Sequence, residues 1–146
     1  MSQCILAIDP GASGGLAFRT VSGPILCEPM PKNDENLIAA IGHYAQAFPM
    51  GQTLKAYTMF KFGRGFGFLQ GVLQSRGWRI TLVRPQEWTK ELGIGTSVDC
   101  ISRTEWKNKL KAKAQELFPE CHPTLATADA LLILQYAIND LQAIGK

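Results

Sequence analysis

The chain lacks most of the features that would place it outside the cell or around a bound zinc ion. Its four cysteines, Cys4, Cys27, Cys100 and Cys121, form no CxxC or CxxH pair. That argues against a zinc site and leaves free thiols in a cytoplasmic protein as the simpler expectation. No apolar run reaches the roughly 20 residues needed to span a bilayer, so no membrane partner is expected. The first residues carry no basic stretch followed by a long apolar segment, so no secretory leader is expected. Acidic residues are missing between Ile41 and Lys61. Charged residues make up only 18% of the chain and apolar ones 46%, a balance that excludes disorder. The net charge of +3 permits a polyanionic partner without demanding one. A length of 146 residues predicts one domain with a real core, spanning 1–146.

What is present is concentrated first in the stretch from Ile5 to Phe18. Four apolar residues, Ile5 to Ile8, run into Asp9; Pro10-Gly11 and small residues follow, and then a second apolar run begins. A short apolar run bounded by turn residues reads as a strand buried on both faces. A carboxylate at its end is costly unless it is paired, hydrogen-bonded or bound to a cation. Gly11, Gly14 and Gly15 allow a tight turn and the close approach of a ligand. The plainer alternative is a hairpin whose aspartate caps the turn.

Periodicity places the other elements. Strands are predicted over 4–9, 15–20, 25–30 and 79–83. Asn33-Asp34-Glu35-Asn36 supplies N-cap chemistry for a helix over 35–47, in which Leu37, Ile38, Ile41 and Ala45 recur at helical spacing. Leu54 to Phe60 alternates like a strand. A glycine-rich helix is predicted over 62–76, with Gly77 as its C′ residue. Glycines at this density imply close packing against another backbone, of the sheet or of a partner. Residues 91–102 read as a loop. A helix over 104–118 follows, capped by Thr104, with Trp106, Leu110, Ala114 and Leu117 as its apolar stripe. Lys107 and Lys111 flank that stripe on one side, Lys109 and Lys113 on the other, either as a solvated surface or as phosphate contacts. The last helix, over 125–142, is apolar on most sides and reads as buried against a sheet. Asp129 lies in its first turns, where the plainer role is to complement the helix dipole.

Four stretches, in order, resemble the RuvC-type Holliday junction resolvases of the RNase H-like nucleases. Ile8-Asp9-Pro10-Gly11 resembles the family's first motif, and Phe62 to Gly67 followed by Leu69 to Leu73 its central helix. Val83-Arg84-Pro85-Gln86-Glu87-Trp88-Thr89-Lys90 is similar to a Pro-x-x-Trp-Lys segment, with Thr89 inserted. Thr127-Ala128-Asp129-Ala130-Leu131 resembles the acidic last helix. The resemblance covers most of the chain. It implies an α/β fold, an RNase H-like mixed five-stranded sheet flanked by helices.

The same resemblance implies a metal-dependent endodeoxyribonuclease that resolves Holliday junctions or other branched DNA in recombination and repair. Carboxylates in such enzymes hold divalent ions, Mg²⁺ or Mn²⁺, that activate water and stabilise the leaving oxygen. Asp9 and Asp129 are the implied catalytic metal ligands. The chain departs from the pattern in two places. Ala126 stands three residues before Asp129, where an additional acid is common. The central glutamate is missing: aligning the strand at 54–60 puts Thr58 near that position, whereas aligning His43-Tyr44-Ala45-Gln46-Ala47-Phe48-Pro49 puts His43 there, as a candidate third ligand. Lys61, Arg64, Lys107 and Lys111 are the expected DNA contacts. Family resolvases act as homodimers, and Phe66, Phe68 and Leu69 on the glycine-rich helix are the expected dimer surface. The missing glutamate supports an alternative, a catalytically impaired relative that binds branched DNA without cutting it. An actin-like phosphotransferase piece also begins with an Asp-x-Gly strand pair, but this length cannot supply both lobes of such an enzyme.

Overall fold

Residues 4–8 are apolar and have no polar side to present to water, and they form the middle of the sheet. The computed structural model describes residues 3–19, 23–46, 53–61 and 63–144. Strand β1 (Gln3–Asp9) pairs antiparallel with β2 (Gly15–Arg19), which pairs antiparallel with β3 (Ile25–Pro29). On its other side β1 pairs parallel with β4 (Thr53–Met59), and β4 pairs parallel with β5 (Arg79–Val83). The order is β3-β2-β1-β4-β5. Among the described residues five α-helices cover the two faces: α1 (Asp34–Gln46), α2 (Arg64–Ser75), α3 (Pro85–Glu91), α4 (Arg103–Leu117) and α5 (Ala128–Ile144). This mixed sheet between helices is an RNase H-like α/β arrangement.

Strand alternation divides the core into two layers. Ile5, Ala7 and Tyr57 point to one face, where they pack with Trp88 of α3, Leu110 and Ala114 of α4 and the buried side of α5. Leu6, Ile8 and Ala56 point to the other, against Leu37 and Ile41 of α1 and Leu69 and Leu73 of α2. A tyrosine hydrogen-bonded to a carboxylate lies in each layer. Tyr57 donates to Asp140 at 2.7 Å on the first face, and Tyr44 donates to Glu28 on the second. Burial and the adjoining carboxylate push both phenols well above their ordinary range.

The ends of the elements follow local chemistry. Asn33 Oδ1 accepts from the Asn36 N–H at 2.8 Å and caps α1. α2 closes in a Schellman arrangement, with Gly77 donating to Gln74 O and Trp78 to Leu73 O. Phe62, expected to start this helix, lies outside the described residues, as do Thr20, Ala47, Phe48 and Pro49. The cap of α4 is Ser102, not Thr104: its Oγ accepts from the Glu105 N–H at 3.1 Å, and Glu105 accepts in turn from the Ile101 N–H at 2.9 Å. The segment before 91 carries a helix that periodicity did not expose. α3 starts on Pro85 as its first residue, and Glu87 accepts from the Arg84 N–H at 2.9 Å. α5 begins at Ala128, later than expected, because Thr124 and Thr127 hold a turn in front of it. Among the described residues no helix is long and apolar enough to cross a membrane.

Candidate functional site

Asp9 is the last residue of β1, and the alternation that sends Ile5 and Ala7 toward α5 sends Asp9 to the same face. Asp129 is the second residue of α5 and is only 6% exposed. Its place is set by the segment that feeds the helix. The Thr124 N–H donates to Thr127 Oγ1 at 3.0 Å, and the Thr127 N–H donates to Thr124 Oγ1 at 3.3 Å. Two glycines bring the hairpin against these parts. A Cβ on Gly14 would lie 2.0 Å from the Asp9 carbonyl oxygen, and one on Gly15 would lie 2.5 Å from the Ala126 carbonyl oxygen. Only a residue without a side chain fits at either position.

Two ammonium groups accompany the two acids. Lys107 of α4 donates to Asp129 Oδ2 at 3.3 Å. Lys61, just past β4, lies over the turn, where a Cβ on Gly11 would meet its Nζ at 2.3 Å. Burial pushes Asp9 up from the ordinary 3.8 to about 6; the Asp129 charge adds to the rise, while Lys107 and Lys61 oppose it. Asp129 is raised too, by burial and against the pull of Lys107. The other oxygen of Asp129, Oδ1, is buried and has no hydrogen-bond partner among the described residues. A buried carboxylate oxygen in that state carries a desolvation cost that the Lys107 contact to the other oxygen offsets only in part, and a cation is the ordinary remedy.

The third carboxylate is missing here too. Ile8 pairs with Thr58 across β1 and β4, so Thr58 belongs to the strand alignment and His43 to a helix. Thr58 is fully buried and follows Ala56 toward the α1/α2 face; its hydroxyl donates to the Met59 carbonyl at 3.1 Å. Extending the register by one residue puts Met59 alongside Asp9, on the same face. The position across from Asp9 therefore holds a thioether, and Thr58 cannot serve from the other side.

The expectation for His43 is corrected. Asp34, at the start of α1, lines the same groove as Pro10 and Gly11. Nine helical residues, about 13 Å, separate it from His43. His43 is exposed, with the Tyr44 ring 6.1 Å from its own. Among the described residues no group of three or more His, Cys, Asp or Glu could hold a metal ion. Asp9 and Asp129 are the side chains suited to bind one, as oxygen donors for a hard cation.

The expected DNA contacts fall into different settings. Lys107 is committed to Asp129 rather than free for a phosphate, and Lys111, one turn further along α4, is half-buried. Lys61 is exposed beside the turn. Arg64 is also exposed, 3.7 Å from Asp34. The expected dimer surface needs a second correction. Phe66 and Leu69 are buried within the chain, in the layer between α2 and the sheet, because they occupy the helical stripe shared with Leu73. Phe68 is half-buried. It lines a groove of about 390 Å³ bounded by the Pro10–Ala12 turn, Lys61 and the first turns of α1 and α2. Lys107 as the partner of Asp129 was the element that sequence reasoning missed. Its one signal was its place beside the apolar stripe, three residues before buried Leu110.

The fold and the site together define an α/β protein with an RNase H-like arrangement of its sheet and a buried pair of carboxylates at the carboxyl end of its central strand. No family model matches the chain, and no curated protein does either.

Proposed function

We propose that this chain is a RuvC-like, metal-dependent endodeoxyribonuclease acting on Holliday junctions or other branched DNA. The observation that carries the reading is Asp129. It is a carboxylate buried in the first turn of an apolar helix, with one oxygen unpartnered, next to a second acid from the far end of the chain. The pair fits one Mg²⁺ or Mn²⁺ ion, which when bound supplies Lewis-acid activation of the phosphodiester and of water. Asp9 and Asp129 would hold that ion. Lys61, Arg64 and Lys111 meet backbone phosphates around it. The two-fold symmetry of a four-way junction suits a homodimer. Cys27, Cys100 and Cys121 form no disulfide, which suits a reducing cytoplasm.

A second reading has a specific observation in its favour. Met59 stands across from Asp9, where a third acid would complete the ion's ligands, and Thr58 faces the other side, which supports a protein that binds branched DNA and does not cut it. A synthetic four-way junction with Mg²⁺ or Mn²⁺ separates the two. Nicking that disappears in Asp9→Asn supports the nuclease. Tight binding without nicking at any ion concentration supports the binder. No preference for the junction over linear duplex removes both.

A further inference from the structure

We propose that Lys107 is an internal counter-ion of the acidic site, which a divalent cation must displace from Asp129 before it can bind. This inference rests on the reading of Asp9 and Asp129 as an ion-binding pair and adds a control on it.

The two partners of the ion pair differ in freedom. Asp129 is fixed on the first turn of α5, and its side chain is 8% exposed. The Lys107 side chain is 35% exposed and reaches the site on a flexible four-carbon stem from a neighbouring helix. The lysine can swing out to water; the aspartate cannot. The pairing is also incomplete. The ammonium contacts Oδ2 at 3.3 Å and leaves Oδ1 buried without a partner. A salt bridge evolved only to neutralise Asp129 would be expected to satisfy both oxygens, since the second oxygen's desolvation is otherwise uncompensated. Here one oxygen remains available to an incoming ion.

Charge makes the two cations exclusive. An ammonium and a divalent ion on the same carboxylate would stand a few ångströms apart in a partly dehydrated site, where like charges repel strongly. Lys61, lying over Gly11 and acting on Asp9, adds a second positive charge to the same balance. With two acids and two ammonium groups the ion-free site is near neutrality. Repulsion between the acids, which in a site of carboxylates alone is relieved only by metal, is therefore already reduced. The consequence is a site stable without metal and weak in its affinity for it.

The test measures Mn²⁺ binding to the full chain by titration calorimetry, independently of any cleavage. Lys107→Met is expected to bind Mn²⁺ at least tenfold more tightly than the unaltered protein, and Lys107→Arg about as weakly as it. The gain should vanish when Asp9→Asn is added. Lys107→Gln removes the charge but keeps a hydrogen-bond donor for Asp129, and it should reproduce the gain if the methionine variant folds poorly. In thermal melts with a chelator Lys107→Met should melt below the unaltered protein, and Mn²⁺ should raise its melting temperature by more. Equal or weaker Mn²⁺ binding in both charge-removing variants would overturn the counter-ion role while leaving the ion-binding pair intact. Absence of Mn²⁺ binding in every variant would overturn both.

Discussion

Helices α5 and α2 cover opposite faces of one sheet, and they are built on opposite plans. Of the 17 residues of α5, nine are buried, including Asp129; of the 12 residues of α2, only Phe66, Leu69 and Leu73 are. α5 is apolar on most sides and has packed neighbours around it. α2 turns Gly67 and Gly71 to open space: apart from chain neighbours and the helix's own backbone, no described residue has a heavy atom within 4 Å of where a Cβ would stand. One helix uses hydrophobic burial to fix a charged residue in position. The other leaves an uncovered, thinly furnished surface beside the groove.

That contrast can be broken or sharpened experimentally. The largest effect is expected on the α5 side. If the chain nicks junctions as proposed, Asp9→Asn or Asp129→Asn should reduce nicking by about a thousandfold or more, since a catalytic ion would supply several kcal/mol of transition-state stabilisation. Single-turnover cleavage measures it, and retention of most of the activity would remove the two acids from the chemistry.

Next comes packing. Leu132→Ala, at the fully buried centre of α5, should cost about 2–5 kcal/mol in chemical denaturation. Phe68→Ala on α2, half-buried at the groove, should cost clearly less. Equal losses would mean that α2 is as deeply supported as α5.

The pH dependence follows from Asp9. Its folded-state pKa, about 6, lies above the ordinary 3.8, so the folded chain holds this proton more tightly than the unfolded one. The stabilisation from that proton is fully present below about 3.8 and is lost as pH rises through about 6. Melting temperature, measured from pH 4 to 7 against Asp9→Asn, should fall more steeply in the unaltered protein. The burial of Asp129 acts in the same direction. A divalent ion, which binds the deprotonated pair, should flatten the difference.

The smaller effects belong to α2. Gly67→Ala and Gly71→Ala should each stabilise the chain by about 0.5–1 kcal/mol, because no other described residue obstructs a methyl group there and alanine favours the helix. If they instead dissociate a dimer in gel filtration, this face is where two copies meet. Arg64→Ala should change stability by less than about 1 kcal/mol, as its pair with Asp34 is exposed. If Arg64 meets a phosphate, the replacement should also lower the salt slope of junction binding by about one.

The parts legible in the sequence were those that repeat or punctuate. The apolar run of β1, the all-round apolarity of α5 and the cap residues before α1 each reflect a local rule, and both acids lie at the ends of such runs. What stayed hidden depends on side chains meeting across distant elements. Nothing in spacing says that Lys107 turns inward to Asp129 while Lys111 continues along the helix. The glycines left open whether the sheet or a partner covers this helix, and the family resemblance favoured a partner over Phe66 and Leu69. In fact the sheet is what covers that stripe, and the glycines face outward. His43 and Thr58 were alternatives that sequence could not separate. Strand pairing removed the histidine and turned Thr58 to the wrong face, leaving Met59 opposite Asp9. α3 was missed because a seven-residue helix is too short to display a period, although Pro85 and Glu87 mark its start.

Gly15 has a reach beyond its own turn. The start of β2 rests directly on the backbone that leads into α5, with no room for a single methyl group between them. A hairpin from one end of the polypeptide and a helix from the other are thus clamped main chain to main chain. Any side chain inserted there has to push them apart, and the acids they carry move with them. What keeps the two chain ends at their present spacing is a hydrogen atom where any other residue carries a carbon.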